Sequence, residues 1–194
     1  MARTADPQRR RAVVDAVIEQ LARTGVADFT LRGLAEGLGQ STRVLTHHFA
    51  DKNALLVAVL ERLDERQHTA LRATPGWDDP AVGVGSIVED AWHRNLGPGE
   101  LAMTRLIREI EGLAAAGRLP VPVPGFVRGR AEFVGTCLVR RGMPEDEART
   151  TATLLNAAYA GLETDYLSTG DRERAEAALR DLCAWVDARV DAAR

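Results

Sequence analysis

Apolar residues recur at the helical period along almost the whole chain, and no stretch alternates apolar with polar in the manner of a strand. That pattern restricts the chain to an all-α fold, with about nine helices. Asp6-Pro7 supplies an N-cap and a first-turn proline. Val13, Val14, Val17, Ile18 and Leu21 then share one face, and Gly25 ends the helix. Thr30 caps a second helix that buries Leu31, Leu34, Ala35 and Leu38, and Gly39 breaks it. Ser41 opens a very short third helix that runs through Phe49. Asp51 caps a fourth, with Leu55, Leu56, Val59, Leu60 and Leu63 on one side.

Beyond it, Thr74–Pro80 (TPGWDDP) reads as a linker with turn chemistry. Helices are expected at about 81–96, 99–116, 124–141, 145–169 and 171–191. Gly117–Gly125 (GRLPVPVPG) is too rich in proline for a helix interior and joins two of them.

The segment Gly37–Lys52 (GLGQSTRVLTHHFADK) carries the functional signal. Two helices of about eight residues joined by a glycine-containing turn form a helix-turn-helix. The first helix is Thr30–Leu38, the turn Gly39–Gln40, and the second Ser41–His48. Val44, Leu45 and Phe49 are spaced to meet a core, which leaves Thr42, Arg43, Thr46 and His47 outward. Arginine can donate a bidentate pair to guanine, and threonine can bond a base or touch a thymine methyl. The cap at Ser41 and the helix N-termini offer N–H groups to phosphate.

Charge agrees with that reading. Residues 1–53 hold eight Lys+Arg against six Asp+Glu, whereas the whole chain carries a net charge of -3. A basic end on an acidic body suits an anionic partner. Lys52 is the sole lysine among the 25 basic residues. Its compact ammonium suits a phosphate, and an ordinary surface charge is the alternative.

The stretch LAEGLGQSTRVLTHHFADKNALL resembles the signature of the tetracycline-repressor (TetR) family of bacterial transcription regulators. The likeness runs over roughly residues 9 to 60: a helix ending at Gly39, Ser41 opening the recognition helix, Leu45 at its centre, His48-Phe49, and a lysine before an ALL run. It implies that Thr42, Arg43, Thr46 and His47 read bases or nearby phosphates. It also implies that His48 and Lys52 meet the DNA backbone, and that Thr30 makes a phosphate contact at the second helix's N-terminus. His48 serves equally as a structural residue bonding a helix end. The chain departs from the family pattern at Thr46, where a tyrosine is common, at Arg43, where a small residue is common, and at Gln40, where an aliphatic residue is common. A sequence preference unlike that of better-known members is therefore expected.

The resemblance also implies a division into 1–52, the helix-turn-helix DNA-binding domain, and 53–194, a helical ligand-binding and dimerisation domain. One recognition helix contacts few bases, so a two-fold homodimer on double-stranded DNA is expected, with half-sites about 34–36 Å apart or a multiple. The last helix carries a wide apolar surface, and the helix before it many small residues. Leu155, Leu162, Leu179, Leu182, Trp185 and Val186 are candidates for a four-helix dimer interface, with intramolecular core as the alternative. Trp92, Met103, Ile107, Phe126, Phe133 and Cys137 lie on inward faces of the central helices, with Asn156 and Tyr159 as polar groups among them. A small apolar or amphipathic effector would fit such a lining, and plain core packing explains the same spacing.

Other classes fare poorly. Nothing pairs a nucleophile with a base, no carboxylate-histidine metal motif occurs, and no loop is built to cradle phosphate, so an all-α enzyme is not expected. His47 and His48 are adjacent and point about 100° apart on a helix, which makes a poor metal pair. No cofactor is expected. Cys137 and Cys183 stand apart, so neither a disulfide framework nor a metal knuckle is expected. No apolar run approaches the ~20 residues of a membrane span, and no signal peptide is read, so the expected location is cytoplasmic. Within DNA-binding regulators, control by an effector competes with control by a protein partner or by abundance.

Overall fold

The structure is a computed structural model that describes residues 6–122 and 126–193, with side chains described except at 126–128. Among the described residues there are nine helices and no strand: α1 (Pro7–Thr24), α2 (Leu31–Gly37), α3 (Thr42–His48), α4 (Lys52–Arg72), α5 (Val84–Asn95), α6 (Leu101–Ala115), α7 (Phe126–Arg140), α8 (Glu145–Thr169) and α9 (Arg172–Ala192). Helix by helix, the expected boundaries differ from these by at most a few residues. The chain forms two compact units. One comprises Met1–Arg66 with Leu101–Pro124, the other Gln67–Glu100 with Gly125–Arg194.

In the first unit, α1 starts where Asp6 accepts a hydrogen bond from the Gln8 N–H at 3.0 Å. That bond satisfies a donor the helix itself leaves orphaned. Its buried face is Val14, Val17, Ile18 and Leu21, against which α2 and α6 pack. Thr30 caps α2 by accepting from Gly33 N–H at 3.0 Å, and Asp51 does the same for α4 through Ala54 N–H at 2.8 Å. Helix α6 comes from far along the sequence, and its acid Glu109 closes the α1–α2 turn. The carboxylate accepts from Val26 N–H at 3.0 and 3.1 Å and from Ala27 N–H at 3.0 Å. The unit built around the helix-turn-helix therefore contains more than residues 1–52.

The second unit packs α8 against both α7 and α9, and α5 against α9. Asp187 of α9 accepts from Gly85 N–H at 2.9 Å, placing a carboxylate at the N-terminus of α5 where the helix dipole favours it. The turn-rich segment after α4 is anchored from inside. Arg141, 3% exposed, donates to the carbonyls of Gly76 (2.8 Å), Asp79 (2.8 Å), Val82 (3.2 Å), Trp77 (3.3 Å) and Cys137 (3.1 Å). Gly76 adopts φ +78°, and a Cβ there would come 2.4 Å from Val82. Both the left-handed backbone and the close approach demand glycine. Thr74 and Trp77 are buried, so the expected linker at 74–80 is a folded part of the second unit.

Candidate nucleic-acid interface

The recognition element is seven residues long and is held by one side chain. Leu45 is completely buried at the centre of α3, and Phe49, also buried, caps it with a backbone bond to Leu45. Val44 is half-buried. Gly39, at φ +63°, makes the reversal between α2 and α3, a conformation that side chains with a Cβ rarely adopt. The opposite face of α3 is open: Thr42, Arg43, Thr46 and His47 are all exposed. The Thr46 hydroxyl donates weakly to the Arg43 carbonyl at 3.3 Å. Ser41 stands at the N-cap position and is exposed, but its side chain makes no capping bond, so the hydroxyl remains available.

Lys52 is the first residue of α4, half-buried, with its ammonium 4.3 Å from the centre of the Phe29 ring. That contact keeps the charge while fixing where it sits. The Thr30 hydroxyl is engaged in its cap, yet the residue is exposed. His48 is half-buried between rings, 5.0 Å from His47 and 6.2 Å from Phe49. Burial lowers its pKa, and the neighbouring charges of His47, Arg9 and Arg10 lower it further. Its Nδ1 is shielded and has no hydrogen-bond partner among the described residues. It meets a structural role and a role beside DNA equally well.

Several arginines of α1, α2 and α4 are tied to carboxylates. Arg11 pairs with Glu65 at 2.6 Å, and Arg32 with Glu36 at 2.9 Å. Arg62 pairs with Asp15 and with Glu65, each at 2.7 Å, and Arg66 pairs with Asp15 and Glu19, each at 2.9 Å. Burial of Asp15 opposes its charge, but the Arg62 hydrogen bond and the charges of Arg66 and Arg62 outweigh it and hold its pKa below the usual value. Arg43 has no such partner among the described residues.

The candidate effector residues separate. Met103 and Ile107 lie on α6, in the first unit. The side chain of Phe126 lies outside the described residues. In the second unit, Phe133 stacks on Trp77 (4.7 Å, 11°) and lies 4.7 Å from His68. Cys137 is buried, its sulfur 2.8 Å from an Arg141 nitrogen. Trp92 is fully buried, edge-on to Tyr159 at 5.9 Å and 6.4 Å from Tyr166. Asn95 bridges the Tyr159 hydroxyl and the buried Glu163 carboxylate, 3.2 Å from each. Burial raises the Tyr159 pKa well above the phenol value, and the Glu163 charge raises it further. Asn156 spends its amide on the Ala152 carbonyl of its own helix at 2.7 Å.

Sequence reasoning passed over Asn95, Glu163 and Tyr166. Their signal was present: positions 156, 159, 163 and 166 follow one helix face, and an acid on that face had no place in an apolar reading.

Three of the candidate dimer residues, Leu155, Leu179 and Val186, are buried within the subunit at 3%, 2% and 0% exposure. Side chains with so little surface left have almost nothing to contribute to association, because α8 and α9 already pack them against their own subunit. Leu162, Leu182 and Trp185 are only half-buried, and Leu154, which the sequence reading did not single out, is 55% exposed.

Residues 13–59 match the family model described as bacterial regulatory proteins, tetR family. The chain is 27% identical over 182 residues to the HTH-type transcriptional regulator BetI of Paraburkholderia phytofirmans, covering 92% of each chain. Among solved structures it resembles the multidrug binding protein EbrR complexed with imidazole. There the TM-score is 0.71 and the identity 25%, over 96% of this chain and 94% of that one. It also resembles a TetR-family member from Streptomyces coelicolor, with a TM-score of 0.68 and 25% identity over 93% of this chain and 99% of that one. The helix-turn-helix match, the near full-length likeness to a regulator and the shared all-helical fold agree: residues 13–59 carry a TetR-type helix-turn-helix, and the chain as a whole is similar to TetR-family DNA-binding transcriptional regulators.

Proposed function

We propose that the chain is a ligand-responsive repressor that binds a two-fold symmetric operator as a homodimer in the cytoplasm and is released by a small apolar or amphipathic ligand. The observation that carries the DNA reading is α3, where buried Leu45 turns Thr42, Arg43, Thr46 and His47 outward together. Arg43 is the principal base reader, because a guanidinium fork free of any carboxylate can meet guanine at two points. Thr30, Ser41, His48 and Lys52 flank it and face phosphate. The residues proposed to meet DNA thus all lie within 1–52, and those proposed for the ligand and the dimer lie within 53–194.

The dimer reading rests on Leu154, Leu162, Leu182 and Trp185, apolar side chains of α8 and α9 that keep exposed surface. The ligand reading rests on Trp92, Tyr159 and Tyr166 around Asn95 and Glu163, an aromatic wall with a few convergent polar groups. The likeness to a protein described as multidrug binding supports it.

Selection of bound duplexes from a random pool tests the proposal. The expected result is an enriched two-fold symmetric site whose binding falls steeply with salt. No enrichment, either before or after ligand is stripped by unfolding and refolding, overturns it. A light-scattering mass of one 21.0 kDa chain on the enriched duplex overturns the dimer.

A further inference from the structure

Six cations of α1–α4 form no carboxylate pair among the described residues: Arg9, Arg10, Arg23, Arg43, Lys52 and Arg72, the last lying over the Phe133 ring at 5.1 Å. Arg23 sits in the last turn of α1 and donates to the Gln20 side chain at 2.6 Å. Arg43 and Lys52 belong to the interface already described. Arg9 and Arg10, in the first turn of α1, remain without a role, and a helix N-terminus is an unfavourable place for two positive charges. An uncompensated charge kept where it costs stability points to a function outside the subunit.

Their position suggests which. The Arg10 guanidinium lies over the Phe49 ring, 5.0 Å from its centre, and Phe49 is the residue that caps the C-terminal end of α3. Both arginines stand near enough to His48 for their charges to lower its pKa. Both are exposed. The next residue, Arg11, is turned to Glu65 and neutralised. The two guanidinium groups, neither paired with a carboxylate among the described residues, therefore lie near His48 and Phe49, at the end of the recognition helix. Glu61 and Glu65 line the shallow groove between α1 and α4 that Arg10 borders, but Glu65 is held by Arg11 and Arg62 and Arg10 lies over Phe49 instead.

We propose that Arg9 and Arg10 form a further phosphate-binding site for duplex DNA, clamping the backbone that flanks the base pairs read by α3. Phe49 makes the clamp from inside the core: its ring holds Arg10 in place, so little side-chain freedom is lost when a phosphate arrives. The contact is electrostatic and carries no base preference. It rests on the DNA-binding reading above, and it adds an element, the start of α1, to the helices that touch DNA.

The test is a salt series. Arg9→Gln, Arg10→Gln and their double variant are compared with the wild type and with Arg23→Gln, a control cation at the other end of α1. Affinity is followed by fluorescence anisotropy on the selected duplex and on a scrambled duplex, over about 50 to 200 mM salt. Glutamine keeps a planar group over Phe49 while removing the charge, and a thermal melt of each variant confirms folding. Each substitution is expected to flatten the log–log slope by about one per protomer. Both duplexes should weaken alike, and Arg23→Gln should match the wild type. Lysine at position 10 is expected to restore the slope. Slopes equal to that of the control overturn the proposal, as does a loss confined to the selected duplex, which would make these residues base readers. A wild type that binds neither duplex overturns the DNA reading itself.

Discussion

Arginine is used in opposite ways in two regions of this chain. Along α1 and α4 it is a surface residue that meets Asp15, Glu19 and Glu65 in a band of ion pairs, and the core beneath is apolar. Around the segment between α4 and α5, one arginine is the core. Arg141, itself buried, ties together five backbone carbonyls from this segment and from α7. A surface pair gains little, because water and salt screen both charges. A buried fork is worth much more, because its loss removes five charge-assisted hydrogen bonds at once from a site that water does not reach. Substitutions in the two regions should therefore differ several-fold in cost.

The largest effect is expected at Arg141. Arg141→Ala should destabilise the protein by about 3–5 kcal/mol, and Arg141→Lys should recover only part of it, since an ammonium cannot reproduce a planar five-donor fork. Urea unfolding measures both. Recovery to the wild-type midpoint by lysine would show that charge, not the fork, holds the segment. In the first unit the comparable change is apolar: Leu45→Ala should cost about 3 kcal/mol, because it empties the fully buried position at the centre of α3. Its DNA affinity should fall with stability. Arg43→Ala separates the two properties. It should weaken the selected duplex by about 1–3 kcal/mol while the melting temperature stays at the wild-type value. A shift in the melting temperature alone would return Arg43 to an ordinary helix face.

That contrast also explains what could be read from the sequence. The helix-turn-helix was legible because its information is local. Caps at Asp6, Thr30 and Asp51, the break at Gly39 and the spacing around Leu45 all lie within a few residues of what they control. The second unit resisted because its decisive contacts join distant positions. Arg141 meets Gly76 across 65 residues, and Asn95 meets Glu163 across 68. A buried arginine and a solvated one look identical in a sequence, so TPGWDDP read as a linker although Trp77 is buried in it. The same limit affected α6, whose Glu109 reaches Val26 across 83 residues. Apolar spacing likewise placed Leu155, Leu179 and Val186 correctly on an apolar face, but it could not say whether that face was turned to a partner or to the subunit itself.

The smallest effect is expected at the surface band, where pH gives it a signature. Asp15 bridges Arg62 and Arg66, and its side chain is 30% exposed. Its pKa in the folded protein lies below the ordinary carboxylate value, because the arginines outweigh its burial. In the unfolded chain the carboxyl therefore takes up its proton first as the pH falls. The stabilisation is complete above the unfolded pKa, near pH 4, and disappears as the pH drops through the folded one. Asp15→Asn should accordingly cost about 1 kcal/mol near neutral pH, discounted for solvent screening. The two proteins should converge in acid, once the pH has dropped through the folded pKa. Unfolding midpoints measured from neutral pH downward test this. A gap that persisted unchanged into acid would mean that Asp15 acts through packing or a neutral hydrogen bond, and the band of pairs along α1 and α4 would then be no more than a solvated surface.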